Sequence, residues 1–198
     1  MPRAGLTPDS VIADAARLLD ELGPNAFTLA AVAESLGVRI PSLYKHIDGM
    51  PDLQRGITVA AKREFSAAIA TAAVGKSRED AMTAIAHAYR AWALAHPGQY
   101  PLTVRAPAAG DAADEEVSVG FAMVIFAVLE GYELVERDAI DATRFVRAAM
   151  HGFVSLETSG GFGLPIDIDE SFERTVEHVV SALDDWTASG HRVSFVHT

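Results

Sequence analysis

Residues 37–47 of the 198-residue chain read GVRIPSLYKHI and set a phenol, an ammonium and an imidazole on consecutive positions, Tyr44, Lys45 and His46. With Arg39 and Ser42 nearby, these are donors of the kind that hold phosphate oxygens. Pro41 suits the first turn of a helix, where its fixed φ is favourable and its missing N–H costs nothing. Backbone N–H groups left free at such a helix start add to the attraction for an anion. Taken singly, these residues favour the simpler reading, in which Tyr44 packs on the fourth helix and Lys45 and His46 are solvated. Other chemistry finds less support. The chain has no cysteine, which removes thiolate catalysis, disulfides and cysteine-ligated zinc. The glycine-rich SGGFGL at 159–164 lacks the Lys-Ser/Thr of a phosphate loop, and neither a GxSxG elbow nor an HExxH pair occurs. His46, His87, His96, His151, His178, His191 and His197 are too scattered to suggest a metal cluster. No catalytic activity, cofactor or metal is expected.

The elements that must position these side chains are helical. Thr7-Pro8-Asp9 opens a first helix whose apolar set, Val11, Ile12, Ala15, Leu18, Leu19 and Leu22, recurs at 3.6-residue spacing until Gly23-Pro24 ends it. Thr28 caps a short second helix carrying Leu29, Val32, Ala33 and Leu36. Gly37 supplies a turn, and a third helix is expected from about 40 to 47, with Leu43 and Ile47 facing inward. Asp48-Gly49 interrupts, and Pro51-Asp52 starts a long amphipathic fourth helix through Leu53, Ile57, Ala61, Phe65 and Ala68. Ser77-Arg78-Glu79-Asp80 resembles a capping box before a fifth helix lined by Met82, Ile85, Tyr89 and Trp92. A helical turn near 100–105, an acidic loop over 106–116, and helices near 115–133, 138–157 and 169–188 complete the chain. No alternating strand pattern occurs. The expectation is an all-α fold of about nine helices, divided into residues 1–50 and residues 51–198.

Charge separates these two parts. Residues 1–73 hold seven Lys/Arg against eight Asp/Glu, and the remainder nine against nineteen, so the net −11 lies almost wholly in the body. An acidic body tolerates a local basic patch, because salt screens fields beyond about 10 Å. The longest apolar run, at 117–129, is too short to span a bilayer, and the N-terminus lacks an apolar signal region. No membrane partner and a cytoplasmic location are expected.

Two short helices joined by a glycine turn and braced by a first helix match a helix-turn-helix, and in that setting the phosphate reading of Tyr44, Lys45 and His46 prevails. Residues 28–53, TLAAVAESLGVRIPSLYKHIDGMPDL, resemble the DNA-binding signature of the TetR family of transcriptional regulators. WALAHPGQYPL (92–102) and RAAMHGFVSLE (147–157) are similar, more loosely, to one subgroup of its ligand-binding domains. The resemblance implies a homodimer that binds a palindromic double-stranded DNA operator and releases it on binding a small-molecule effector. It implies that Ile40, Pro41, Ser42 and Lys45 approach base edges while Thr28, Tyr44 and His46 hold phosphates. Arg39, which stands at the helix cap where the family usually has Ser or Thr, joins this DNA-facing set, and Arg3 in the N-terminal arm could add a contact. The chain departs from the family pattern at Ala30, Asp48 and Met50, positions where basic or polar DNA contacts are common. These departures motivate a rival reading, a helical small-molecule-binding protein with weakened or lost DNA binding.

In the body, Phe65, Tyr89, Trp92, Tyr100, Phe121, Phe126 and His151 are candidates for the wall of a largely apolar effector site. The alternative is that most of them simply fill a core. Phe172, Val176, Val179, Leu183 and Trp186 recur at heptad-like spacing. Phe145, Ala149, Gly152 and Leu156 mark a helix face whose small residues allow close approach. In the family, two such helices from each subunit build the dimer interface, which is the role expected for both sets.

Overall fold

A computed structural model describes residues 6–186, and among these every regular element is a helix. Arg3, His191 and His197, and the end of the last expected helix, lie outside the described residues. The order is α1 (Pro8–Ala26), α2 (Leu29–Ser35), α3 (Ile40–Leu43), α4 (Met50–Ala73), α5 (Arg78–Ala95), α6 (Tyr100–Thr103), α7 (Ala112–Glu130), α8 (Glu136–Thr158) and α9 (Ile168–Asp184).

Local chemistry explains most boundaries. Thr7 and Ser10 form a reciprocal capping box at the start of α1. Gly23, at φ 70°, takes the backbone out of helical geometry, so the final turn to Ala26 is a separate piece after a kink. The Thr28 hydroxyl accepts from the Ala31 N–H and caps α2 (3.1 Å). Gly37, at φ 66°, closes α2 with paired bonds, Gly37 N–H to Glu34 O and Val38 N–H to Ala33 O. Two boundaries and one cap differ from expectation. The regular part of α3 is four residues, and Tyr44–Ile47 continue as tight turns in which the His46 and Ile47 N–H groups both reach Leu43 O. No side-chain cap forms at Ser77; Arg78 instead reaches Asp184 and the Gly131 carbonyl. α7 starts at Ala112, inside the expected acidic loop, because Asp111 caps it by accepting from the Asp114 N–H.

Two apolar clusters result. The first gathers α1, α2 and α3 around Val11, Leu19, Val32, Leu43 and Ile47, and takes in Leu53 and Ile57 from α4. The second joins α5 to α9 around Met82, Tyr89, Leu129, Met150 and Phe172, and takes in Ala61, Phe65 and Ile69 from the same α4. One helix therefore runs through both cores. The junction is also pinned elsewhere. The Asp20 carboxylate of α1 accepts from the Gly98 and Gln99 N–H groups, the Gln99 amide and His96 Nδ1. A side chain at Gly98 is excluded, since its Cβ would stand 2.3 Å from the Leu19 carbonyl oxygen.

Candidate nucleic-acid interface and ligand cavity

Leu43 and Ile47 are buried beneath α3, which forces the residues between them outward. Tyr44 is 56 % exposed, Arg39, Ile40, Pro41 and Lys45 are exposed, and Ser42 and His46 are half-buried. The side chains of Arg39, Tyr44, Lys45 and His46 make no hydrogen bond or ion pair among the described residues, so their donors are free for an outside acceptor. Thr28 differs, because its hydroxyl is engaged in capping α2 while its surface stays exposed. The glycine turn and the inward pair thus bring all eight residues named from the sequence onto one end of the molecule.

Within the body, a cavity of about 180 Å³ opens among α4, α5, α6, α7 and α8. Of the expected wall residues, Phe65, Tyr89 and Phe121 line it. The other four do not. Trp92 stands behind Phe65 (centroids 4.8 Å) and stacks on His96, while Phe126 packs on the core. Tyr100 and His151 are tied into a relay instead. The Tyr89 and Tyr100 hydroxyls are 2.8 Å apart, and Tyr100 is 2.8 Å from His151 Nδ1. Burial pushes the Tyr89 hydroxyl above the ordinary tyrosine value, opposed by its bond to Tyr100 and by Arg147. Burial raises Tyr100 further, with Tyr89 adding to the shift and Arg147 opposing it.

The cavity also has polar lining that the sequence reading missed: Lys62, Arg105, Ser118 and Arg147. Lys62 is almost fully buried, and its ammonium donates to Asp114 Oδ1 (2.5 Å) and Ser118 Oγ (3.1 Å). A signal existed. Lys62 shares a 3-4 spacing with Phe65 and Ile69, which places a cation on the buried stripe of α4. Nearby, Arg55 of α4 donates twice to Asp111, at 2.5 and 2.7 Å, and holds that carboxyl below its usual range. The start of α7 is thereby fastened to α4 at two points.

The expected pairing face needs correction. Phe172, Val176, Val179 and Leu183 are buried in the protomer itself. Phe172 packs edge-on to Phe153 (5.1 Å) and beneath the Arg90 guanidinium, which also bridges Glu157 and Asp169. Their stripe is a layer of this chain's own core, because helical spacing is the same for either use. Phe145 and Leu156 remain exposed, Ala149, Gly152 and Trp186 are half-buried, and Phe145 stacks on Trp186. A Cβ built at Gly152 meets nothing within 4 Å, so that surface is open.

No helix among the described residues is long and apolar enough to cross a membrane. The sequence profile of the tetracyclin repressor-like C-terminal domain matches residues 82–179. Over 192 residues the chain is 33% identical to the HTH-type transcriptional regulator Rv0681 of Mycobacterium tuberculosis, covering 96% of this chain and 88% of that protein. Two solved structures share the fold at lower identity. A TetR variant from Acinetobacter baumannii AYE in complex with minocycline has a TM-score of 0.71 at 20% identity, over 92% of this chain and 98% of that one. BioQ with its double-stranded DNA operator has a TM-score of 0.67 at 18% identity, over 91% and 99%. With a helix-turn-helix at one end, a cavity-bearing helical body at the other and a full-length relative among such regulators, the chain belongs to the TetR family of DNA-binding transcriptional regulators.

Proposed function

We propose that this regulator is a ligand-responsive repressor that binds a palindromic operator as a homodimer and leaves it when a small, largely apolar effector enters the cavity. In this reading residues 1–50 form the DNA-reading unit and residues 51–198 the effector-binding and dimerisation unit. Ile40, Pro41, Ser42 and Lys45 approach base edges, and Thr28, Arg39, Tyr44 and His46 hold the backbone. The observation that carries the proposal is the double membership of α4, with Leu53 and Ile57 in the reading head's core and Phe65 in the cavity wall. A ligand that shifts α4 at Phe65 alters the seat of α3. The bound states of two fold relatives, one with minocycline and one with operator DNA, support the two halves of the reading.

Dimerisation has a mechanical reason, since two recognition helices read half-sites about 34 Å apart. The test is retention of the DNA upstream of the protein's own gene in a gel, with unrelated DNA as competitor. Specific retention that weakens with salt is expected. Each phosphate contact contributes about 0.9 to the salt slope, so the departures at Ala30, Asp48 and Met50 predict a shallow slope. Absence of specific retention at low salt would replace this reading with a ligand-binding protein that has lost DNA recognition.

A further inference from the structure

The cavity is positive in an acidic protein. Its lining includes Lys62, Arg105 and Arg147 and no carboxylate, whereas the chain carries a net charge of −11. Lys62 is already neutralised by Asp114. Arg147 is not: its Nη2 donates to the Val104 carbonyl at 2.8 Å, and it has no ion pair among the described residues. Arg105 likewise has none. A surplus of unpaired guanidinium beside an apolar wall made by Phe65 and Phe121, with ring centroids 5.5 Å apart, has a definite chemical complement. That complement is a small molecule with a flat apolar body and an anionic head.

Resting on the effector-cavity reading above, we infer that the ligand is a monocarboxylate about one aromatic ring in size, its ring against Phe65 and Phe121 and its carboxylate on Arg147. The size follows from the volume. About 180 Å³ is below the roughly 300 Å³ at which drug-sized sites begin, yet exceeds the ~150 Å³ cavity that admits benzene. The head group follows from geometry. Arg147 of α8 lines the cavity with Phe65 of α4 and is solvent-exposed, and after its bond to Val104 its fork retains N–H groups for a planar two-oxygen acceptor. Lys62 stays with Asp114, so the anionic head falls to Arg147. Occupancy would therefore bridge α8 to α4 across the cavity, about one helical turn from Lys62, which fastens α4 to α7.

Calorimetric titration of the full chain with benzoate and phenylacetate, against benzamide and phenylacetamide, tests the inference, because each pair differs in charge and hardly in shape. The carboxylates are expected to bind about tenfold or more tighter than the amides. Arg147→Gln should abolish that preference, and Arg147→Lys should retain part of it, with helical content checked by circular dichroism in both. Equal binding of acid and amide, or no saturable binding of either, overturns the inference, as does a preference unchanged in Arg147→Gln. Gel retention of the upstream DNA in the same solutions separates the two layers. Carboxylate binding without DNA release keeps the anion site and removes the repressor reading. DNA release by the amides as readily as by the acids keeps that reading and removes the anion site.

Discussion

Tyr44 and Lys45 are adjacent, exposed and unpartnered, yet the contacts proposed for them predict different losses. A tyrosine hydroxyl on a phosphate adds affinity without sequence information, whereas an ammonium at a base edge adds discrimination. Tyr44→Ala is expected to weaken binding to specific and unrelated DNA alike, by about tenfold. Lys45→Ala should cost the cognate fragment more than unrelated DNA, so that competition titrations with both separate the two roles. Equal losses would remove Lys45 from base readout. The buried tyrosines carry a second residue-level consequence. Tyr89 and Tyr100 have folded-state values raised by burial above the unfolded value of about 10. Their contribution to stability is full below about pH 10 and is lost as pH climbs through the folded values. Thermal unfolding midpoints should fall on the alkaline side, and the double change Tyr89→Phe and Tyr100→Phe should flatten that decline.

At the scale of elements, α1 is bound to the α5–α6 turn by one carboxylate and one missing side chain. Asp20 accepts four hydrogen bonds from His96, Gly98 and Gln99, and Gly98 lets the turn lie against the backbone of Leu19. Gly98→Ala has no flexible neighbour to displace, only that carbonyl. It is expected to cost about 2 kcal/mol through overpacking, read as a lowered denaturation midpoint. It should also change how strongly an effector alters operator affinity, because this joint connects the two cores independently of α4. An unchanged midpoint would show that the turn can move aside without cost.

For the whole molecule, the proposed homodimer would use the unburied part of α8 and its neighbour α9. Phe145, Leu156 and the open surface at Gly152 form a face with an adjacent groove that includes Ala149, Arg174 and His178. A charge on that face would be desolvated by pairing. Leu156→Glu is therefore expected to weaken self-association at least about tenfold in sedimentation equilibrium, and to reduce operator retention with it. Phe172, fully enclosed in the protomer, behaves differently: Phe172→Ala should destabilise the folded chain by about 3–5 kcal/mol.

The amino-acid sequence by itself determined the helices and the reading head. Thr7, Thr28 and Gly37 act on residues three positions away, Pro41 starts α3 through its own fixed φ, and 3.6-residue spacing placed Leu43 and Ile47 inward from a single stretch of chain. Only the tertiary structure decided what each buried face meets. A periodic stripe says that a helix side is covered, not by which partner, so the stripe of α9 was legible as apolar yet not as part of the protomer's own core. The cavity was legible only in part: Phe65, Tyr89 and Phe121 were named from the sequence and line it, whereas its polar contacts were not. Lys62 meets Asp114 across 52 positions of sequence, Tyr100 meets His151 across 51, and no local rule reports contacts made by packing at that range.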